Sequence, residues 1–131
     1  MKKGTLLNQP ISAVIAGLGH TDTLVIADAG LPIPPETQRI DLALAQGIPA
    51  FLDVLRVVMS EMQVERALVA QELVDGNPEY LAQIKALLDD VPVGAVPHET
   101  FKSQTRTAHA IIRTGEFTPY ANIILSAGVV F

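Results

Sequence analysis

The chain has 131 residues, of which 49% are hydrophobic, and it carries a formal net charge of −5 with no cysteine. This size and apolar content predict one folded domain, residues 1–131, and exclude a disordered chain. The acidic balance argues against nucleic acid as the partner, because phosphate contacts need a basic face. The absence of cysteine excludes disulfides, thiolate metal sites and a cysteine nucleophile, and it fits a reducing cytosol.

Membrane and export signals are not expected. No apolar run approaches the roughly 20 residues that span a bilayer. The start, MKKGTLLNQP, carries two lysines but no long apolar segment and no small-residue cleavage site, so it does not resemble a signal peptide. A high apolar fraction in so small a domain also predicts that some surface is buried in an oligomer.

The first half of the chain alternates between helical and extended patterns. Residues 8–19 carry apolar side chains at i, i+3, i+4 and i+7 behind a proline that suits the first turn of a helix. Residues 23–28 form a short apolar run that predicts a buried strand. After the proline-rich loop at 30–36, residues 39–44 are a second strand candidate. The apolar stripe over 51–62 is the clearest helical signal in the chain.

The second half repeats the alternation. Residues 65–73 are a strand candidate, and Asn77 and Pro78 are typical of the N-cap and first residue of a helix. Three more strand candidates complete the chain, at residues 91–96, 109–114 and 122–131. The pattern predicts a single α/β domain with a mostly parallel sheet.

His20 stands in LGHTD, where one helix ends and a strand has not begun. One interpretation is a surface or capping histidine that bonds the last helical carbonyls. The other is a proton carrier, since an unperturbed histidine pKa of roughly 6.5 suits both donation and acceptance near neutrality.

Ligands of parallel α/β sheets bind beyond the carboxyl ends of the strands, where Asp28 and Arg113 are expected. Asp28 either braces its turn or accepts a hydrogen bond from a ligand hydroxyl. His98 is expected just before a short helix, as a cap or as a ligand-binding residue, and His109 as a structural residue. The histidines lack the close spacing of a helical metal pair, so we expect no metal site.

Polar side chains interrupt the apolar pattern of IRTGEFTPYANIIL, residues 112–125. The turns over 114–116 and 118–120 bring a carboxylate, a phenol and an amide together, from Glu116, Tyr120 and Asn122. An aromatic face rimmed by hydrogen-bonding groups is what a sugar needs. The alternative is an ordinary polar turn with Tyr120 partly in the core.

The ordered motifs LGHTD, IADAGLPIP, VPHETF and IRTGEFTPYANIIL make the chain similar to the D-ribose pyranase family, which includes related fucose mutarotases. The likeness spans all 131 residues. It implies a three-layer α/β/α subunit with a mixed sheet, a homo-oligomer that is a ring-like decamer, and active sites near subunit contacts. It also implies a cytoplasmic enzyme that interconverts the pyranose and furanose forms of D-ribose and so feeds ribose to phosphorylation and catabolism.

The resemblance also implies roles for individual residues. His20 corresponds to the proton donor. Asp28, His98, Tyr120 and Asn122 correspond to sugar-binding residues, and Ala121 contributes through its backbone. Opening and reclosing a sugar hemiacetal needs acid–base groups but no cofactor. Three alternatives stay open: a sugar-binding accessory protein of ribose uptake without turnover, a fucose-type mutarotase, and a structural or regulatory ring whose polar turn makes subunit contacts.

Overall fold

The structure, a computed structural model, describes residues 1–131 and contains one sheet of six strands. The helices are α1 (Gln9–Gly17), α2 (Phe51–Met59), α3 (Gln71–Gly76), α4 (Pro78–Leu88) and α5 (His98–Gln104). The strands are β1 (Thr23–Ala27), β2 (Gln38–Asp41), β3 (Val64–Ala70), β4 (Val93–Val96), β5 (Ala110–Arg113) and β6 (Ile123–Ala127). None of the helices is long and apolar enough to cross a membrane.

The sheet is mixed, with strand order β2-β5-β1-β6-β3-β4. Strands β2, β5 and β1 run parallel to one another, as do β3 and β4. Strand β6 lies between β1 and β3 and is antiparallel to both. Strands β1 to β5 therefore all end at the same edge of the sheet, here called the carboxyl edge, and β6 begins there. The opposite edge is called the amino edge.

The core has two parts because side chains alternate between the faces of a strand. Leu24 and Ile26 of β1 belong to a cluster of 24 buried residues that packs against α1, α2, α3 and α4. Val25 and Ala27 belong to a smaller cluster of 7 buried residues that includes Phe101 of α5. Helices therefore cover both faces of the sheet, which confirms the expected three-layer α/β/α architecture.

Local sequence signals placed two helix starts correctly. Asn8 precedes α1, and its side-chain oxygen accepts a hydrogen bond from the backbone N–H of Ile11 at 3.0 Å. The predicted cap of α4 is also confirmed, because the Asn77 side chain accepts from the backbone N–H of Tyr80 at 3.2 Å. Pro78 is the first residue of that helix. Both caps satisfy a backbone donor that the helix itself leaves unpaired.

Several predicted boundaries were wrong. The strand predicted over 65–73 ends at Ala70, and its last three residues begin α3. The strands predicted over 39–44 and 122–131 end at Asp41 and Ala127, where the register with their neighbours stops. His98 is the first residue of α5 instead of preceding it. Apolar runs indicate a strand, but pairing with a neighbour decides its length.

Candidate functional site

Asp28 and Asn122 meet at the carboxyl edge. Asp28 directly follows β1, and Asn122 directly precedes β6, which pairs with β1. The side-chain oxygen of Asn122 accepts from the backbone N–H of Asp28 at 2.8 Å, and its Nδ2 donates to Asp28 Oδ2 at 3.0 Å. The other carboxylate oxygen accepts from the backbone N–H of Gly30 at 2.9 Å. The Asp28 carboxylate is thus held in one orientation by a fully buried amide.

His98 and Tyr120 form an aromatic pair, and Tyr120 lies two residues before Asn122 in the chain. Their ring centroids lie 5.0 Å apart in an edge-to-face arrangement, and the His98 ring stacks on Phe101 at 6.2 Å. Glu72 accepts a hydrogen bond from the backbone N–H of His98 at 2.9 Å and so satisfies the first donor of α5. Tyr120 has a positive φ of 62° and is 38% exposed. An aromatic ring is therefore presented to solvent two residues before Asn122.

Ala121 joins the two halves of this cluster. It is fully buried, and its backbone N–H donates to the Thr118 carbonyl at 3.2 Å. The chain from Tyr120 to Asn122 is consequently tied to the preceding loop on one side and to Asp28 on the other.

The Glu116 side chain ties this loop to α2 and α4 by hydrogen bonds. Its Oε1 accepts from the backbone N–H of Phe51 at 3.1 Å and from the Tyr80 hydroxyl at 3.2 Å. Its Oε2 accepts from the Thr118 hydroxyl at 2.9 Å. The interpretation that its carboxylate offers hydrogen bonds to a sugar is therefore wrong, because each oxygen already accepts two hydrogen bonds within the protein.

Burial, charge and hydrogen bonds together set the protonation states of Tyr80 and Glu116. Burial disfavours the charged carboxylate of Glu116, but the hydrogen bonds from Phe51, Thr118 and Tyr80 outweigh it and lower the pKa of Glu116. Burial, followed by the nearby charge of Glu116, raises the pKa of the Tyr80 phenol. Tyr80 therefore remains a neutral donor to an ionised carboxylate, and this pair stabilises the base of the loop.

Arg113 is also structural. Its Nε donates to the Ala29 carbonyl at 3.0 Å, and its NH1 lies 3.1 Å from Asp41 Oδ2. The expected position at the carboxyl end of β5 is confirmed, and the side chain braces the turn that follows Asp28.

His20 lies at the amino edge, away from the other candidate residues. The turn that carries it is tied to the end of β6 by the Thr21 N–H, which donates to the Ala127 carbonyl at 2.9 Å. Its Nε2 is 2.8 Å from Glu65 Oε2. The five residues of β1 separate His20 from Asp28, a span of roughly 16 Å at about 3.3 Å per residue. One chain does not bring the two residues into one site.

His109 is the third histidine of the chain. His109 is exposed at the amino edge, with its Nε2 3.4 Å from Asp22 Oδ2. The structure contains no group of three or more His, Asp or Glu side chains arranged to hold a metal ion.

Five cavities of the subunit lie outside this cluster. Five cavities of about 310 to 630 Å³ are lined by other residues. One of about 310 Å³ is an apolar groove between the segment before α1 and α2. Ligand pockets usually bury most of a small molecule, so a sugar bound between Asp28 and Tyr120 requires walls beyond these five cavities.

The chain matches known proteins over its whole length. The model of the RbsD / FucU transport protein family matches residues 1–130. D-ribose pyranase of Laribacter hongkongensis is 57% identical over 131 residues, with all of both chains covered. D-ribose pyranase of Geobacillus kaustophilus is 54% identical and covers all of this chain and 96% of its own. The solved structure of Bacillus subtilis RbsD complexed with D-ribose superposes with a TM-score of 0.96 at 48% identity, covering 100% of both chains.

Proposed function

The chain belongs to the RbsD / FucU transport protein family, and we propose that it is a D-ribose pyranase, an isomerase that interconverts the pyranose and furanose forms of D-ribose. The observation that carries this conclusion is identity above 50% with D-ribose pyranases across the full chain. The ribose-bound relative with the same fold supports a monosaccharide as the ligand. The chemistry needs only acid–base groups and a pocket that holds the sugar.

The sugar site is assigned to the carboxyl edge of one copy. The fixed carboxylate of Asp28 accepts from sugar hydroxyls, and Tyr120 presents an aromatic face beside His98. Asn122 is fully buried and acts by holding Asp28, and Ala121 places both neighbours. No cofactor takes part.

His20 of a neighbouring copy completes this site. Because β1 separates His20 from Asp28 within one chain, the amino edge of one copy must meet the carboxyl edge of the next. A contact between two different surfaces of the same protein is heterologous and closes into a ring when the rotation permits. We take the ring-like decamer implied by the family resemblance as the assembly, with the cytoplasm as its compartment and ribose catabolism as its role.

The reaction moves protons between sugar oxygens. His20 donates a proton to the ring oxygen while the bond from that oxygen to the anomeric carbon breaks and the anomeric hydroxyl loses its proton to water. The product is the open-chain aldehyde. His20, now neutral, takes the proton of the hydroxyl on C4 as that oxygen attacks the aldehyde carbon, and O1 regains a proton from water. The five-membered ring forms, and His20 returns to its starting state.

Magnetisation-exchange NMR on D-ribose tests the proposal directly. The wild-type protein should speed exchange between pyranose and furanose signals, and His20→Ala should slow the catalysed exchange by about 100-fold or more, the usual scale for a general acid. His109→Ala is the matched control, since His109 is an exposed histidine at the same edge, and it should leave the rate unchanged. Ribose binding without accelerated exchange would favour the non-catalytic accessory protein, and faster exchange of L-fucose than of D-ribose would favour the fucose-type alternative.

A subunit-mixing experiment tests the composite site. His20→Ala and Asp28→Ala are each expected to be inactive. When they are unfolded together and reassembled in equal amounts, about a quarter of the contacts should pair an intact amino edge with an intact carboxyl edge. Recovery of about a quarter of wild-type activity supports the shared site. No recovery in well-formed mixed assemblies, or an active monomer by light scattering at micromolar concentration, contradicts it.

A further inference from the structure

Glu65 and His20 form a hydrogen-bonded pair at the amino edge that the proposed mechanism does not yet use. His20 Nε2 and Glu65 Oε2 are 2.8 Å apart although the residues are 45 positions apart in sequence. The side chains are 55% and 37% exposed, so the pair lies at the surface of one copy. It therefore occupies the surface that the composite site requires to face a neighbour.

The backbone of β3 is distorted at this residue. The register between β3 and β6 pairs Val64 with Ala127 and Arg66 with Ser126, so Glu65 is one residue more than its partner strand can match. Such a β-bulge re-aims the side chain that it carries. In β3 it breaks the alternation of buried and exposed residues, because Glu65 and Arg66 are both exposed. The bulge is what turns the Glu65 carboxylate toward the His20 turn.

Gly128 makes room for this arrangement. Its backbone N–H donates to the Gln63 carbonyl at 2.9 Å, which brings the end of β6 against the start of β3. A Cβ at position 128 would lie 3.2 Å from Glu65 Cβ and 3.4 Å from the Glu65 backbone nitrogen. A side chain there would press on Glu65, so glycine permits the close approach.

We propose that Glu65 is the positioning residue for His20 in ring opening. By accepting a hydrogen bond from Nε2–H, its carboxylate fixes the imidazole orientation and leaves Nδ1 as the nitrogen that exchanges a proton with the sugar. Its negative charge also faces the imidazolium form from which His20 donates its proton and to which it returns when the ring closes. This inference rests on the proposed function and adds a second residue to the half of the site that the neighbouring copy supplies.

The exchange assay on D-ribose separates this role from a structural one. Glu65→Ala should slow exchange by about tenfold, the low end for acid–base groups because water screens a half-exposed pair. Ribose affinity should stay within about twofold, since Glu65 does not touch the sugar in the proposed mechanism. Glu79→Gln is the charge-matched control, because Glu79 is exposed on α4, and it should have the wild-type rate. In a His20→Ala background, Glu65→Ala should cause no further loss, as expected for residues that act as one unit.

Four results would count against the inference or the function on which it rests. A Glu65→Ala protein with wild-type exchange overturns the inference, and so does an equal loss with and without His20. If Glu65→Ala loses its assembled state, Glu65→Gln replaces it, because it keeps the side-chain size and removes the charge; a wild-type rate there also overturns the inference. A wild-type protein that does not speed ribose exchange contradicts the proposed function itself, and the two failures are thereby distinguished.

Discussion

Asn122→Asp tests the central contact of the carboxyl edge. Asn122 is fully buried, and its Nδ2 donates to Asp28 Oδ2 at 3.0 Å. The substitution keeps the size of the side chain and the oxygen that accepts from the Asp28 N–H. It replaces the amide donor by a carboxylate oxygen, so two carboxylates face each other where a donor and an acceptor met.

The expected loss of stability follows from the distance between the two carboxylates. Two unit charges about 3 Å apart in an effective dielectric constant of about 20 repel by roughly 5 kcal/mol. Keeping one carboxyl protonated at pH 7 instead costs about 1.4 kcal/mol for each pH unit above its ordinary pKa near 4, or roughly 4 kcal/mol. Protonation of one carboxyl costs less than the repulsion between two charges, so the folded protein keeps one carboxyl protonated. We therefore expect the free energy of unfolding to fall by about 4 kcal/mol at pH 7 and by only about 1.5 kcal/mol at pH 5.

The pH dependence of the stability loss distinguishes charge repulsion from the loss of hydrogen bonds alone. The shared proton raises the pKa of the carboxyl pair in the folded state above its unfolded value, so the folded state is favoured at low pH and this advantage is lost as pH rises. Urea unfolding at pH 5 and pH 7, at fixed protomer concentration because assembly contributes to stability, measures both values. Asn122→Ala is the control, since it removes the same hydrogen bonds without adding charge and should cost about 2 to 3 kcal/mol at both pH values.

An Asn122→Asp deficit that is the same at both pH values would refute the reasoning. It would mean that the two carboxylates are not in contact and that Asn122 does not hold Asp28. The exchange assay supplies a second check, because a displaced or neutral Asp28 should weaken ribose binding in both variants.

Other consequences of the structure can be tested together. In thermal unfolding, Gly115→Ala should destabilise the protein by about 2 to 3 kcal/mol, because the added Cβ would collide with the backbone carbonyl oxygens of Ile48 and Ala45. Gly76→Ala is the control, because its Cβ would meet open space, and it should be neutral or slightly stabilising. Tyr80→Phe removes a hydrogen bond that lowers the pKa of Glu116, and because a lowered pKa gives stability that is lost as pH falls, acid unfolding followed by circular dichroism should begin at a higher pH than in wild type. Treatment with EDTA should leave ribose exchange unchanged, and activity that zinc or magnesium restores after chelation would contradict a metal-free mechanism.

Residue patterns identified much of the candidate site but not what supports it. The motifs around His20, Asp28, His98, Tyr120 and Asn122 singled out these residues directly. Glu65 and Glu72 gave no comparable signal, because both lay within one predicted strand. Their roles depend on partners 45 and 26 positions away in the sequence.

The same limit applies to the loop before β6. Its polar residues all looked available to a ligand, and the structure shows that Glu116 is not. Glu116 is hydrogen-bonded to Tyr80 and Phe51, which are 36 and 65 positions away in the sequence. A local residue pattern therefore cannot predict these hydrogen bonds.

The sequence alone determined those features that depend on neighbours a few positions away. The cap at Asn77, the proline in the first turn of α1 and the apolar run of β1 are of this kind, because each needs only contacts within one turn or one strand. The tertiary structure decided where these elements meet. Strand β6 pairs antiparallel with β1 across about 100 residues of sequence, as in Val25 with Ile124. That pairing brings Asn122 to Asp28 and leaves His20 at the other edge, while the pairing of β6 with β3 contains the bulge at Glu65. Neither could be read from local sequence, because strand register is fixed by which side chains pack together in three dimensions.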